Sequence, residues 1–193
     1  VVAPAVAKAA MDSGVATHPI HDWDKYEHEL LERLGSDNKM VRLLTNRAKS
    51  EPKRIVFAEA DHLDVLKAAQ IVLEEGIGHP ILLGDREVIL ELKEELGFDA
   101  DVPIFDPKKP EEDARRLAYA DVFWKTRRRR GISLLDAQKW MRERNYFAAM
   151  MVNSGDADGL VTGYSRSYPS VIKPMMQLID KAPGISLIAT ANM

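Results

Sequence analysis

Apolar residues recur every three or four positions up to about residue 50 and then, from Lys53, gather in short unbroken runs. That change of period separates a helical N-terminal stretch from an alternation of strands and helices. Residues 5–11 are rich in good helix formers and close at Asp12-Ser13-Gly14, where glycine accepts the left-handed conformation of a helix C-terminus. Trp23, Tyr26, Leu30 and Leu34 predict a second helix over about 23–34, opened by Asp and ended by Gly35. Met40, Leu43, Leu44 and Ala48 predict a third over about 38–49.

Beyond Pro52 the run Arg54-Ile55-Val56-Phe57-Ala58 is rich in β-branched residues, as a strand buried on both faces requires. A helix over 63–75 capped by Gly76, a strand at 80–83, a helix over 86–96 closed by Gly97 and a strand at 102–105 follow. Such alternation implies right-handed crossovers and a parallel sheet. Two long helices come next, over about 111–129 and 134–153, with Ser133 as the N-cap of the second. Leu134, Ala137, Met141, Ala148 and Met151 form the apolar stripe of that helix. A strand at 158–162, a helix over about 170–180 and a strand at 185–190 complete the reading. The fold class is therefore α/β, a three-layer α/β/α arrangement around a mainly parallel sheet and preceded by helices. The composition shift near Pro52 puts a domain boundary between Ser36 and Pro52. A start without Met and an end directly after a strand, with no covering helix, are expected of a segment of a longer polypeptide.

Composition narrows the function classes. With 193 residues, 46% hydrophobic and 30% charged, the chain has an ordinary soluble-globular balance and enough apolar material for one sizeable core. It has no cysteine, which removes disulfides, thiolate metal sites, iron-sulfur clusters and Cys nucleophiles, and fits a reducing compartment, the cytoplasm by default. The balance of 27 basic against 30 acidic residues, net -3, draws the chain to neither nucleic acid nor anionic lipid, so any anion site must be local. The longest apolar stretches, 77–84 and 147–152, fall far short of the roughly 20 residues of a membrane span. The N-terminus does not read as a signal peptide.

In an open parallel sheet, ligands bind at the carboxyl ends of the strands, which singles out 59–62, 84–86, 106–109 and 163–168. The last is the richest, because Gly163, Tyr164, Ser165, Arg166, Ser167 and Tyr168 put hydroxyls, an arginine and a flexible glycine between a strand and a helix. Those parts suit phosphate; they also suit a plain turn whose hydroxyls cap the next helix and whose Arg lies in solvent. Glu59 with Asp61 reads as an acid-base pair or, more commonly, as caps of the following helix. The run 127–130, four arginines at a helix end, complements the helix dipole in solvent or clamps a phosphate. No aromatic-interleaved surface accompanies it, which disfavours nucleic acid. His18, His21, His28, His62 and His79 lack metal-ligand spacing, and Gly155-Asp156-Ala157-Asp158-Gly159 lacks the terminal Glu of a calcium loop and reads as a turn. GxGxxG, Walker and GxSxG patterns are absent from the sequence.

The segment Ala157-Asp158-Gly159-Leu160-Val161-Thr162-Gly163, followed by Ser167 and by Lys173-Pro174-Met175-Met176-Gln177-Leu178-Ile179, resembles the phosphate acetyltransferase (phosphotransacetylase) family. The early strand ending at Glu59, Pro80-Ile81-Leu82-Leu83-Gly84 and Arg130-Gly131-Ile132-Ser133 support it in order along the chain. Residues 1–20, with Ala3-Pro4-Ala5-Val6-Ala7-Lys8-Ala9-Ala10-Met11, look like the C-terminal end of bacterial malic enzyme catalytic domains. Together the pieces are similar to the large hybrid NADP-dependent malic enzymes. The resemblance implies the end of a malic enzyme domain over 1–20, a helical linker over 21–52 and the first part of a phosphotransacetylase-like domain over 53–193. It implies a parent that decarboxylates malate to pyruvate oxidatively with NADP and Mg2+ or Mn2+, none of whose active site lies in this chain. It places the acyl-CoA or phosphate ligand loop on Gly163, Ser165, Arg166, Ser167 and Tyr168, the phosphate-binding arginine position on Lys173 and a second basic contact at Arg129 or Arg130. The family's general base would lie beyond Met193. Tyr168 stands where the family has Thr, Lys173 where it has Arg, which loses the bidentate fork, and Arg166 where it has His. These departures favour a non-catalytic module that binds acetyl-CoA or a related acyl-CoA, regulates the malic enzyme domain of the same chain and supports a homo-oligomer. The alternatives are an active acetyltransferase and a purely structural oligomerisation module.

Overall fold

A computed structural model describes residues 2–33, 39–179 and Gly184. The chain divides into two compact units, Val1–Asn46 and Arg47–Met193. The first holds α1 (Val2–Asp12), α2 (Trp23–Arg33) and the start of α3 (Lys39–Ser50). Gly14 ends α1 at φ 73°, and Asp22 Oδ1 accepts the Lys25 N–H at 2.9 Å to cap α2, both as the sequence predicts. Leu34, Gly35 and Asn38, assigned to the ends of these helices, lie outside the described residues.

The second unit is built on four parallel strands, β1 (Lys53–Phe57), β2 (Gly78–Leu83), β3 (Ile104–Phe105) and β4 (Gly159–Val161), in the order β3-β2-β1-β4 among the described residues. Central β1 sets the register, with Val56 opposite Ile81 on one side and Leu160 on the other. Successive side chains of a strand point to opposite faces, so each strand feeds two cores. Phe57 and Leu82 pack with Leu66, Ala69 and Ile89 under α4 (Leu63–Glu74) and α5 (Arg86–Leu96). Val56, Ile81 and Leu83 pack with Tyr119, Phe123, Met141 and Phe147 under α6 (Asp113–Arg127), α7 (Leu134–Trp140), α8 (Arg144–Asn153) and α9 (Tyr168–Leu178). The division follows from handedness. Steps from β1 to β2 to β3 move one way along the sheet, the return to β4 moves the other way, and right-handed crossovers then place their helices on opposite faces. The three-layer expectation is met.

Two boundaries differ from the sequence reading. The helix expected over 134–153 is broken between Trp140 and Arg144, because its halves need different surroundings. α7 is amphipathic and opens with a Ser133–Asp136 capping box, whereas α8 is buried all round from Asn145 to Met151. The polar stretch Arg142-Glu143-Arg144 lets the chain turn between the two. The helix expected over 111–129 is α6 flanked by 3-10 turns at Pro110–Glu112 and Arg128–Arg130. The strand expected at 185–190 lies outside the described residues.

Candidate functional site

The strand order reverses between β1 and β4, and in such sheets the crevice at the carboxyl ends of those two strands is where ligands bind. Glu59, two residues past β1, is 1% exposed and faces the loop that leaves β4. Its Oε1 accepts the backbone N–H groups of Gly163 at 2.7 Å and Tyr164 at 3.0 Å, and its Oε2 accepts that of Ser165 at 2.9 Å. The Ser165 hydroxyl donates to the same oxygen Oε2. Thr162 adds a donation to Asn145 Oδ1 at 2.8 Å, with Glu59 Oε1 at 3.4 Å. Burial alone would raise the Glu59 carboxyl, but donation from the Ser165 hydroxyl and from three backbone N–H groups outweighs it and holds the group below the usual carboxylate range. The loop is therefore wrapped on an internal anion.

Asp61 does comparable work on the other side. Its carboxylate forms a bidentate pair with Arg144, the first residue of α8, at 2.6 and 2.8 Å, with both side chains about 85% removed from solvent. Burial raises its pKa and the Arg144 hydrogen bonds and charge lower it further, so Asp61 also stays ionised below its ordinary value. Gly84, at the end of β2, passes so close that a Cβ there would lie 3.1 Å from the Asp61 Cγ and 3.2 Å from its backbone nitrogen. The expectation that Glu59 and Asp61 cap the next helix is thus corrected. The N-cap of α4 is His62, which makes no side-chain cap bond, because both carboxylates turn instead toward partners about 100 and 80 residues away that satisfy them while buried. The acid-base pairing also falls, since each carboxylate has its own set of donors.

The predicted loop residues are found together. Gly163 has φ 102°, Arg166 and Ser167 are exposed, and Tyr168 is 72% exposed at the start of α9. The loop hydroxyls do not cap α9. Ser167 is the N-cap residue, but its hydroxyl donates to the Ser170 hydroxyl at 3.3 Å and accepts no backbone N–H of the helix, while Tyr164 donates to Asp64 at 2.5 Å and lies 5.3 Å from the His62 ring. Lys173, on α9, holds its ammonium 5.7 Å from the Trp140 ring centroid, a cation-π contact rather than a hydrogen bond. Arg129 and Arg130 are exposed on the 3-10 turn after α6. Their neighbour Arg127 is not a solvated member of the run: it is 8% exposed and donates through Nε to the Gln177 carbonyl at 2.6 Å, near the C-terminal end of α9. The spacing Arg116, Tyr119, Ala120, Phe123, Arg127 shows why, because it continues the buried face of α6. No group of three or more His, Cys, Asp or Glu among the described residues is placed to hold a metal ion.

Residues 39–193 match the family of phosphate acetyl/butaryl transferases. The chain belongs to this family. Its fold agrees, since a phosphotransacetylase from Streptococcus pyogenes superposes with a TM-score of 0.67 at 33% identity, covering 76% of this chain and 45% of that one. The phosphate acetyltransferase of Thermoanaerobacterium thermosaccharolyticum is 35% identical over 151 residues, 78% of this chain and 45% of its own. The NADP-dependent malic enzymes of Rhizobium meliloti and Escherichia coli are 36% and 35% identical over 97% and 99% of this chain. The chain spans about a quarter of the length of those malic enzymes and under half of the acetyltransferases. The phosphotransacetylase-like domain is thus shared with both kinds of protein, and in this member of the family the loop after β4 is the one that Glu59 organises. No helix among the described residues is long and apolar enough to cross a membrane.

Proposed function

We propose that this chain is a non-catalytic, acyl-CoA-binding module that regulates an NADP-dependent malic enzyme polypeptide and contributes to its homo-oligomer. The observation that carries the reading is the state of the two carboxylates at the switch point. A general base works best with a pKa near the operating pH. Glu59 and Asp61 are both saturated with donors and held below the ordinary carboxylate range, so neither takes a proton near neutrality. Beside them Arg166, Ser167 and Tyr168 remain exposed for a ligand. Both carboxylates therefore serve the loop and α8 rather than proton transfer. Together with Tyr168, Lys173 and Arg166 standing where the family has Thr, Arg and His, this supports binding over turnover, and unequal affinity for two quaternary states makes such binding regulatory.

Support for the malic enzyme context comes from coverage. The malic enzyme relatives align with 97–99% of the chain, whereas the acetyltransferase relative aligns with 78%. In this reading malate, NADP and Mg2+ or Mn2+ are handled by the malic enzyme domain, in a cytoplasmic protein, and acetyl-CoA or a related acyl-CoA is the effector. The test is calorimetric titration of acetyl-CoA into the full-length protein, with malate oxidation and acetyl phosphate formation assayed on the same preparation. Binding that changes malate turnover without acetyl phosphate is the expected result. Acetyl phosphate production overturns the non-catalytic reading, and absence of binding at millimolar ligand leaves a structural module.

A further inference from the structure

α9 runs through a proline that is fully buried. Pro174 has no N–H, so the carbonyl of Ser170, four residues earlier, finds no donor in its own helix. The donor comes from α8. Asn145, 5% exposed, gives an Nδ2 hydrogen to the Ser170 oxygen at 3.3 Å. The other end of the same side chain faces the end of β4, where Oδ1 accepts the Thr162 hydroxyl at 2.8 Å. The polarity of this chain of bonds is fixed. A carbonyl only accepts, so the NH2 group faces Ser170, the amide oxygen faces Thr162, and the hydroxyl hydrogen goes to Asn145 rather than to Glu59 Oε1 at 3.4 Å. The far end of α9 is held separately, since Tyr146 donates to Gln177 Oε1 at 2.7 Å and Arg127 Nε to the Gln177 carbonyl at 2.6 Å.

From this arrangement we infer that Asn145 is a positioning residue, which fixes the near half of α9 to the end of β4 through the hydrogen bond that Pro174 leaves open. Its bonds go to Thr162 and Ser170, on either side of the exposed Arg166, Ser167 and Tyr168, so it sets the spacing of that edge from within. Lys173, one residue before the proline, belongs to the same helix and moves with it. The consequence for binding rests on the reading of this edge as an acyl-CoA contact surface. Leucine has nearly the shape of asparagine and neither of its hydrogen-bonding groups, which makes Asn145→Leu the direct probe. Alanine at 174 supplies the missing N–H, so Pro174→Ala returns a donor to the Ser170 carbonyl from within α9.

The experiment compares full-length wild type, Asn145→Leu, Pro174→Ala and the double variant by hydrogen exchange and by calorimetric titration of acetyl-CoA. In Asn145→Leu, exchange over 162–165 and 168–178 quickens roughly tenfold, while 63–74, on the other face of the sheet, stays unchanged and confirms the fold. Adding Pro174→Ala restores protection over 168–178 and leaves 162–165 fast, because only the Ser170 bond is replaced. Acetyl-CoA affinity falls roughly tenfold in Asn145→Leu and recovers in large part in the double variant. Thr162→Val cuts the same link from the β4 end, leaves α8 untouched, and weakens acetyl-CoA several-fold by the same route. Exchange over 168–178 that Pro174→Ala does not restore overturns the inference. Wild-type acetyl-CoA affinity in both Asn145→Leu and Thr162→Val, despite faster exchange, also overturns it and leaves Asn145 a structural residue only. Failure of the acyl-CoA reading looks different, because acetyl-CoA then does not bind wild type either, while the selective rescue of 168–178 still supports Asn145 as the joint.

Discussion

Replacing Glu59 with glutamine tests whether the β4–α9 loop is held by a buried anion. The native carboxylate takes three N–H donors within 3.0 Å and the Ser165 hydroxyl, at 1% exposure. In Glu59→Gln the amide oxygen keeps Gly163 and Tyr164 as neutral partners, while the NH2 group faces the Ser165 N–H. Hydrogen bonds to a charged group contribute about 1.5–3 kcal/mol and neutral ones about 0.5–1.5, so two weakened bonds and one lost total about 4 kcal/mol. Removing a buried charge returns about 1–2 kcal/mol of desolvation. The net loss is about 2.5 kcal/mol, which at a urea slope of about 2 kcal/mol per M lowers the midpoint by a little over 1 M.

The pH dependence of that loss has a definite sign. Glu59 has a native pKa below its ordinary value of 4.5, so its stabilisation is complete above that value and disappears as pH falls through the native one. The gap between wild type and Glu59→Gln therefore narrows below about pH 4 and closes once Glu59 is protonated in both folded and unfolded chains. Urea melts at several pH values measure it, and hydrogen exchange of the Gly163, Tyr164 and Ser165 amides reports the loop itself. A midpoint shift under about 0.3 M at neutral pH, or a gap that stays constant down to about pH 3, refutes the reasoning.

Breaking the Asp61–Arg144 pair by Asp61→Asn or Arg144→Gln costs about 3 kcal/mol each, and the double variant costs less than the sum, read from urea midpoints; additive losses count against a coupled pair. Gly84→Ala pushes a methyl against Asp61 and costs about 1–3 kcal/mol, whereas Gly159→Ala, with open space at its Cβ, serves as the control in the same melts. Asp158 accepts from the Arg54 side chain and backbone, which holds its carboxyl down to about 2; the expected outcome of a carboxyl NMR titration is a midpoint there, moved up toward the ordinary 3.8 in Arg54→Gln.

The elements of this fold were legible because each strand is short, apolar and bounded by turn residues, and because Gly97 and Ser133 mark their helix ends by conformational need. The break between α7 and α8 was not read, although its signal was present. Arg142-Glu143-Arg144 interrupts the apolar stripe, and the seven buried residues that follow in α8 have no polar face at all. Arg127 was hidden for a related reason. Read within 127–130 it is one cation of four, but read along α6 it lies four residues beyond buried Phe123 and belongs to the core-facing side.

The site was legible as a place and not as a mechanism of order. Sheet topology points to the carboxyl ends of β1 and β4, and the residues from Gly163 to Tyr168 follow from that alone. What one chain segment cannot reveal is which carboxylate a distant loop will wrap, since Glu59 and Ser165 lie 106 residues apart and meet only because β4 returns beside β1. The consequence reaches function. Backbone N–H groups of Gly163, Tyr164 and Ser165 are already spent on Glu59, so they cannot also cradle an external phosphate, and the proposed reading leaves ligand contact to the exposed side chains of Arg166, Ser167 and Tyr168. A protein anion thus takes the place inside the loop, and Arg166, Tyr168 and Lys173, where the chain departs from the family pattern, are exposed side chains outside that internal scaffold.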